Sequence, residues 1–262
     1  VATLKTIRCS LAAIFLSVAI CGCSGLQKNK DVLFQTSTID ALLAGVYDGH
    51  MTLKELKKHG DFGLGTFNCL DGEMVGLDGE FYQIKVDGTA YPVDDSMKTP
   101  FAVVTFFEPD ESLLLDKEMD YEELSQYLDG KLPTENIFYA VKIEGGFEHI
   151  KTRSVPRQNK PYPPLVEVVK DQSILEFYDV KGTIVGFRTP HYMKGINIPG
   201  YHLHFITADR RAGGHLLECR MQDVGIELDY TSEFYVVLPE GSGFSEADLT
   251  RERHKELEMV EK

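Results

Sequence analysis

The sequence predicts an α+β protein with two sheet-containing domains. The larger, N-terminal one carries a mixed sheet and the smaller, C-terminal one a mostly antiparallel sheet, with a metal site near their junction. Three observations predict it. Short β-type runs punctuated by Asp-Gly and Gly-Gly pairs recur from residue 67 to residue 238. Cap-like starts mark only a few short helices. Three of the eight histidines, His202, His204 and His215, fall within fourteen positions near the end of the chain.

Along the chain, Lys5 and Arg8 precede an apolar run over 11–20 and then Cys21-Gly22-Cys23-Ser24. That pattern reads as an export signal over 1–22, too short to favour a membrane span. Ile20-Cys21-Gly22-Cys23 resembles a lipobox, which makes Cys23 the expected lipidation site and 23–32 a polar tether. The protein is thus expected to be exported and lipid-anchored, periplasmic or at the cell surface, or else secreted after plain signal cleavage. Residues 37–43 read as a short helix, and 52–57 as another, with Thr52 as N-cap and Glu55 completing a capping box. Asp71-Gly72, Asp78-Gly79 and Asp87-Gly88 predict a β-meander over 67–91. A strand over 101–108, a helix over 120–128 and strands over 137–145 and 149–154 follow. Pro156 to Pro164 is the best boundary, separating a β-rich domain over 33–165 from a sheet domain over 166–240. Strands are expected at 175–184, 185–189, 201–207, 215–221 and 233–238, then a charged, helix-like tail within 241–262.

The histidines carry the chemistry. Side chains alternate along a strand, so His202 and His204 share one face while Tyr201, Leu203 and Phe205 share the other. A loop over 208–214, ending in Gly213-Gly214, returns the chain so that His215 joins them. Three converging imidazoles are the ligand set of an open, catalytic zinc site, although imidazole also suits iron, copper and nickel. Cys219 shares strand parity with His215 and is a weak candidate for a fourth ligand, a buried free thiol being the simpler reading. The net charge of −14 argues against a nucleic-acid partner. Apart from a lipid at the N-terminus there is no reason to expect contact with a membrane. A small-molecule substrate and a homodimer are the partners expected.

Several motifs together resemble one family. Thr66-Phe67-Asn68, Leu70-Asp71-Gly72-Glu73, Asp78-Gly79-Glu80-Phe81-Tyr82, Thr152-Arg153-Ser154-Val155-Pro156-Arg157-Gln158 and Gly200-Tyr201-His202-Leu203-His204-Phe205 look like α-acetolactate decarboxylase, in order and spacing, over 33–239. The resemblance implies a two-domain fold and a zinc ion held by His202, His204 and His215. It implies decarboxylation of 2-acetolactate to (R)-acetoin and carbon dioxide, a step of acetoin and butanediol biosynthesis. It places Glu73, Arg153 and Thr66 in the pocket and brings back a C-terminal glutamate, Glu261 or, as the alternative, Glu258. Composition alone does not separate Glu73 from Glu80, or Arg153 from Arg157. The histidine spacing also admits a cupin-like metal dioxygenase or isomerase. Thr207 and Ala208 stand where that class usually carries a glutamate. A non-enzymatic surface lipoprotein with a structural zinc is the third reading.

Overall fold

A computed structural model describes residue 1 and residues 31–261. The expected export signal, the lipidation site Cys23 and all but the end of the tether lie outside the described residues. The first half of the chain carries β1 (Val32–Thr36), α1 (Ile39–Leu43), β2 (Met51–Thr52), α2 (Leu53–Leu56), β3 (Phe62–Thr66), β4 (Glu73–Leu77), β5 (Glu80–Ile84), β6 (Ala90–Pro92), β7 (Lys98–Thr99), β8 (Ala102–Thr105), β9 (Glu111–Leu115), β10 (Met119–Asp120) and α3 (Tyr121–Asp129). The second carries β11 (Phe138–Ser154), α4 (Leu165–Val168), β12 (Ser173–Thr189), β13 (Gly200–Thr207), β14 (Gly213–Met221), β15 (Val224–Thr231), β16 (Glu233–Val237), α5 (Ser242–Glu246) and α6 (His254–Glu261).

Two seven-stranded sheets dominate, ordered β16-β1-β8-β3-β4-β5-β6 and β10-β14-β13-β12-β11-β15-β9. The first is mixed, because β1 and β16 are parallel, and the pairs of the second are antiparallel. In the second, β14 pairs with β13 and also with β11, so β11-β12-β13-β14 closes on itself. The sheets face each other across one core. Leu64, Val75 and Val103 of the first meet Ala140, Val185 and Phe187 of the second. Alternation puts Tyr139, Val141 and Ile184 on the far face, in a second core with Leu124 and Leu128 of α3. Phe34, Met74 and Val104 fill a third core behind the first sheet, with Leu53 and Leu56 of α2.

Sheet membership departs from the sequence expectation. The expected strands over 137–145 and 149–154 are one strand, β11, and it belongs to the second sheet rather than the first. It pairs with β12 along nearly its whole length, straight through Gly145-Gly146. The glycines do not turn the chain because both find ladder partners, Gly182 and Lys181. The proline stretch therefore connects two paired strands rather than two sheets. Similarly, 175–184 and 185–189 are one strand, β12. The meander begins at β3, and Asp71-Gly72 is not its first hairpin turn. A 3-10 turn over Asn68–Leu70 precedes it, with Cys69 and Leu70 at positive φ. Asp78-Gly79, with φ of 57° and 80°, does make the two-residue turn expected of that pair. The first helix is capped by Thr38. At α2 the capping box is half made: Thr52 accepts from the Glu55 N–H, but the Glu55 carboxylate turns to Lys58. The full box is at α3, between Asp120 and Glu123. No helix among the described residues is long and apolar enough to cross a membrane.

Candidate metal centre

The register of the second sheet assembles the site. His204 on β13 is directly opposite His215 on β14, and His215 is directly opposite Arg153 on β11. Directly opposed residues project from the same face, so three adjacent strands set these side chains in one row. His202, two residues before His204, joins from the same face. That face looks toward the first sheet. The three imidazole centroids form a nearly equilateral triangle, 5.1, 5.1 and 5.2 Å on its sides. Gly214 lets the row close, since a Cβ there would lie 2.6 Å from the Arg153 carbonyl oxygen.

The first sheet supplies the opposite wall. Glu73 begins β4, and Thr66 is its partner on β3. The Thr66 hydroxyl donates to the Gly72 carbonyl at 2.6 Å and so holds the turn that presents Glu73. Glu73 is 5% exposed, whereas Glu80 is on the surface. Arg153, also 5% exposed, donates through Nη1 to Glu73 Oε1 at 2.8 Å. Arg157 is exposed and turns away to Asp71. From the tail, α6 brings Val260 and Glu261 to the pocket. Glu261 Oε2 lies 3.7 Å from His215 Nε2, while Glu258 is half exposed and faces His254. The C-terminal glutamate at the site is Glu261.

The histidines are held neutral. Burial drives His202 and His215 well below the usual imidazole range, helped by the Arg153 charge and the neighbouring imidazoles. Burial and Arg153 take His204 down to about 3. The 3.8 Å approach of Glu73 Oε2 to His204 Nε2, like that of Glu261 to His215, is therefore no ion pair. Burial raises both carboxyls, Glu261 to about 7, while the Arg153 charge works against the rise.

The donor set fits a metal ion. One possible ligand atom from each histidine lies within 4.8 Å of the others, which no other group among the described residues matches. His204 Nδ1 donates to the Met74 carbonyl at 2.8 Å, leaving Nε2 with a lone pair toward the centre. His204 Nε2, His202 Nδ1 and His215 Nδ1 are buried with no hydrogen-bond partner. Unpaired buried groups cost roughly 1–3 kcal/mol each, and an ion would relieve those that face it. Neutral imidazoles with carboxylates beside them are borderline ligands, suited to zinc among others. Cys219 is not part of the set. The β11–β14 register shifts between Lys151 and Thr152, leaving Leu217 unopposed, and this bulge reverses the parity beyond it. Cys219 instead packs with Leu216 and Met221 in the second core, and burial pushes its thiol up to about 12. Cys69 and Cys219 are both free.

The pocket around these groups encloses about 400 Å³ between atoms, part of it continuous with solvent. One half is polar: the three histidines, Glu73, Arg153, Glu261 and Thr66. The other half is apolar and includes Leu42, Leu70, Phe101, Val155, Leu165 and Val260. The apolar half and the Met74 carbonyl carry no mark in the sequence, because their types are those of any core.

Comparison with known proteins points to one family. The family model for alpha-acetolactate decarboxylase matches residues 33–251. The alpha-acetolactate decarboxylase of Methanosarcina mazei is 56% identical over 233 residues, 89% of this chain and 81% of that protein. That of Bacillus subtilis strain 168 is 44% identical over 238 residues, 90% and 93% of the two chains. Its crystal structure superposes with a TM-score of 0.86, covering 88% of this chain and 99% of that one. A Staphylococcus aureus protein of unknown function similar to alpha-acetolactate decarboxylase superposes at 0.80 with 30% identity, covering 87% and 98%. The family match ends before α6, so the placing of Glu261 rests on the geometry above.

Proposed function

The chain belongs to the alpha-acetolactate decarboxylase family, and on that premise we propose a zinc-dependent decarboxylation of 2-acetolactate to (R)-acetoin and carbon dioxide at the histidine triad. It is an enzyme, a carboxy-lyase. What carries the reading is the row His204–His215–Arg153, buried and facing Glu73.

2-Acetolactate places a ketone beside the carbon that bears the carboxylate and the hydroxyl. Loss of carbon dioxide leaves an electron pair, and that ketone takes it up as an enediolate. No pyridoxal or thiamine is needed as an electron sink. A bound zinc ion supplies Lewis-acid polarisation of the substrate oxygens. His202, His204 and His215 would hold it, with Glu261 beside His215. Arg153 keeps its charge at any working pH and offers a fork of donors, so it binds the substrate carboxylate or the oxygen on which charge develops. Its Nε has no hydrogen-bond partner and stays available. Glu73 orients Arg153 and, with its carboxyl raised by burial, can carry a proton to the product carbon directly or through water. Thr66 positions Glu73 through its bond to Gly72.

Purified protein given racemic 2-acetolactate should form acetoin, and His204→Ala should abolish both turnover and bound zinc. An alanine variant that retains turnover would contradict the reading. The cupin-like and non-enzymatic readings are set aside, since the family match spans both sheets. Export and lipid attachment at Cys23 remain proposals that the sequence alone supports. The mass of the N-terminal peptide of the cell-derived protein tests them, and an unmodified Cys23 within an uncleaved chain would rule them out.

A further inference from the structure

Leu70 lines the pocket from a backbone conformation that side chains of its size avoid. Cys69 and Leu70 stand one after the other at φ of 64° and 53°. Consecutive left-handed residues without glycine persist only where their surroundings over-determine them, and they gather at functional sites. The surroundings here are explicit. The Cys69 N–H donates to the Tyr47 carbonyl at 2.8 Å, and the Gln158 N–H donates to the Cys69 carbonyl at 2.7 Å. The Gly72 N–H donates to the Leu70 carbonyl at 3.1 Å, and the Thr66 hydroxyl fixes Gly72 in turn. Leu70 is 2% exposed and sits three residues before Glu73 on this pinned turn. Leu42, Leu165 and Val260, its neighbours in the apolar wall, stand on helices of four to eight residues and outside the left-handed region.

We propose that Leu70 is the specificity-determining wall of the pocket and sets the size of the alkyl group at C2 of a 2-alkyl-2-hydroxy-3-keto acid. The inference rests on the decarboxylase reading. The carboxylate, hydroxyl and ketone of such a substrate belong to the polar half of the pocket, which leaves its alkyl groups for the apolar half. An apolar pocket discriminates by about 10–200-fold per methylene when its wall cannot yield. A side chain on a backbone turn clamped by these hydrogen bonds has little room to move aside for a longer alkyl group.

The test compares kcat/KM for racemic 2-acetolactate with that for its homologue carrying ethyl in place of the C2 methyl. It uses the full chain as wild type, Leu70→Ala and Leu70→Gly. Glycine takes a φ of 53° without strain, so the second variant keeps the turn even if the first does not fold. The ratio of ethyl to methyl substrate should rise about tenfold or more in both variants, and less in Val260→Ala. An unchanged ratio in Leu70→Gly, or an equal fall on both substrates, would overturn the assignment. Wild-type protein inactive on both substrates would instead overturn the decarboxylase reading, and this inference with it, before any variant is compared.

Discussion

At the scale of single residues, one buried row of side chains decides the chemistry. His202, His204 and His215 are legible in the sequence because two histidines two apart on a strand, with a third after glycines, have few structural uses. Glu73 and Arg153 are not legible that way, since Glu80 and Arg157 match them by type. The family resemblance picks Glu73 and Arg153 out, and the fold gives the physical difference, burying one of each pair and exposing the other. Arg153→Lys should lower kcat/KM by at least about a hundredfold with zinc content unchanged, because a single ammonium cannot reproduce the fork that holds Glu73 and substrate together. Steady-state kinetics beside elemental analysis checks this, and Arg157→Lys on the exposed side should change neither. At the tail, Glu261→Gln should weaken zinc by about tenfold or more in competition with a chelating dye, while Glu258→Gln should not.

At the scale of elements, register matters more than strand assignment. The strands around the histidines were legible from alternation, yet the hidden bulge at Leu217 reversed Cys219. Parity arguments hold only as far as the ladder is regular. β1 is a central strand whose residues are largely buried, so it shows no alternation to read. β15, by contrast, alternates cleanly through Val224, Ile226 and Leu228, a period-two signal that lies between the expected strands over 215–221 and 233–238. This strand also holds Asp229, 2% exposed, whose carboxyl burial pushes up to about 7, with Asp110, Asp31 and Glu108 adding to the rise. The folded state keeps that proton to about pH 7, while the unfolded chain loses it near 3.8. Stability should therefore fall by roughly 2–4 kcal/mol as pH rises from 4 to 7 on account of this group. Asp229→Asn should flatten that slope in denaturant melts taken across the same range. On β14, Gly214→Ala should cost about 1–3 kcal/mol in the same melts, because its Cβ meets the Arg153 carbonyl.

At the scale of the whole molecule, the site exists because two sheets and a tail converge. The second sheet provides the histidines and Arg153, the first provides Glu73 and Thr66, and α6 provides Glu261. The histidine cluster lies where the two sheets meet, as the sequence leads one to expect, but the sequence divides the chain at the prolines, where β11 and β12 are in fact partners. Chain order does not reveal that β16, late in the sequence, completes the first sheet beside β1. Nor does it reveal that β11 lies between β12 on one side and β14 and β15 on the other. The most direct test of the central claim strips metal from the purified protein and returns zinc in steps, reading bound zinc and acetoin formation on the same samples. Activity should vanish with the metal and climb in proportion to zinc, reaching its plateau at one ion per chain. Full acetoin formation by the metal-free protein would contradict it.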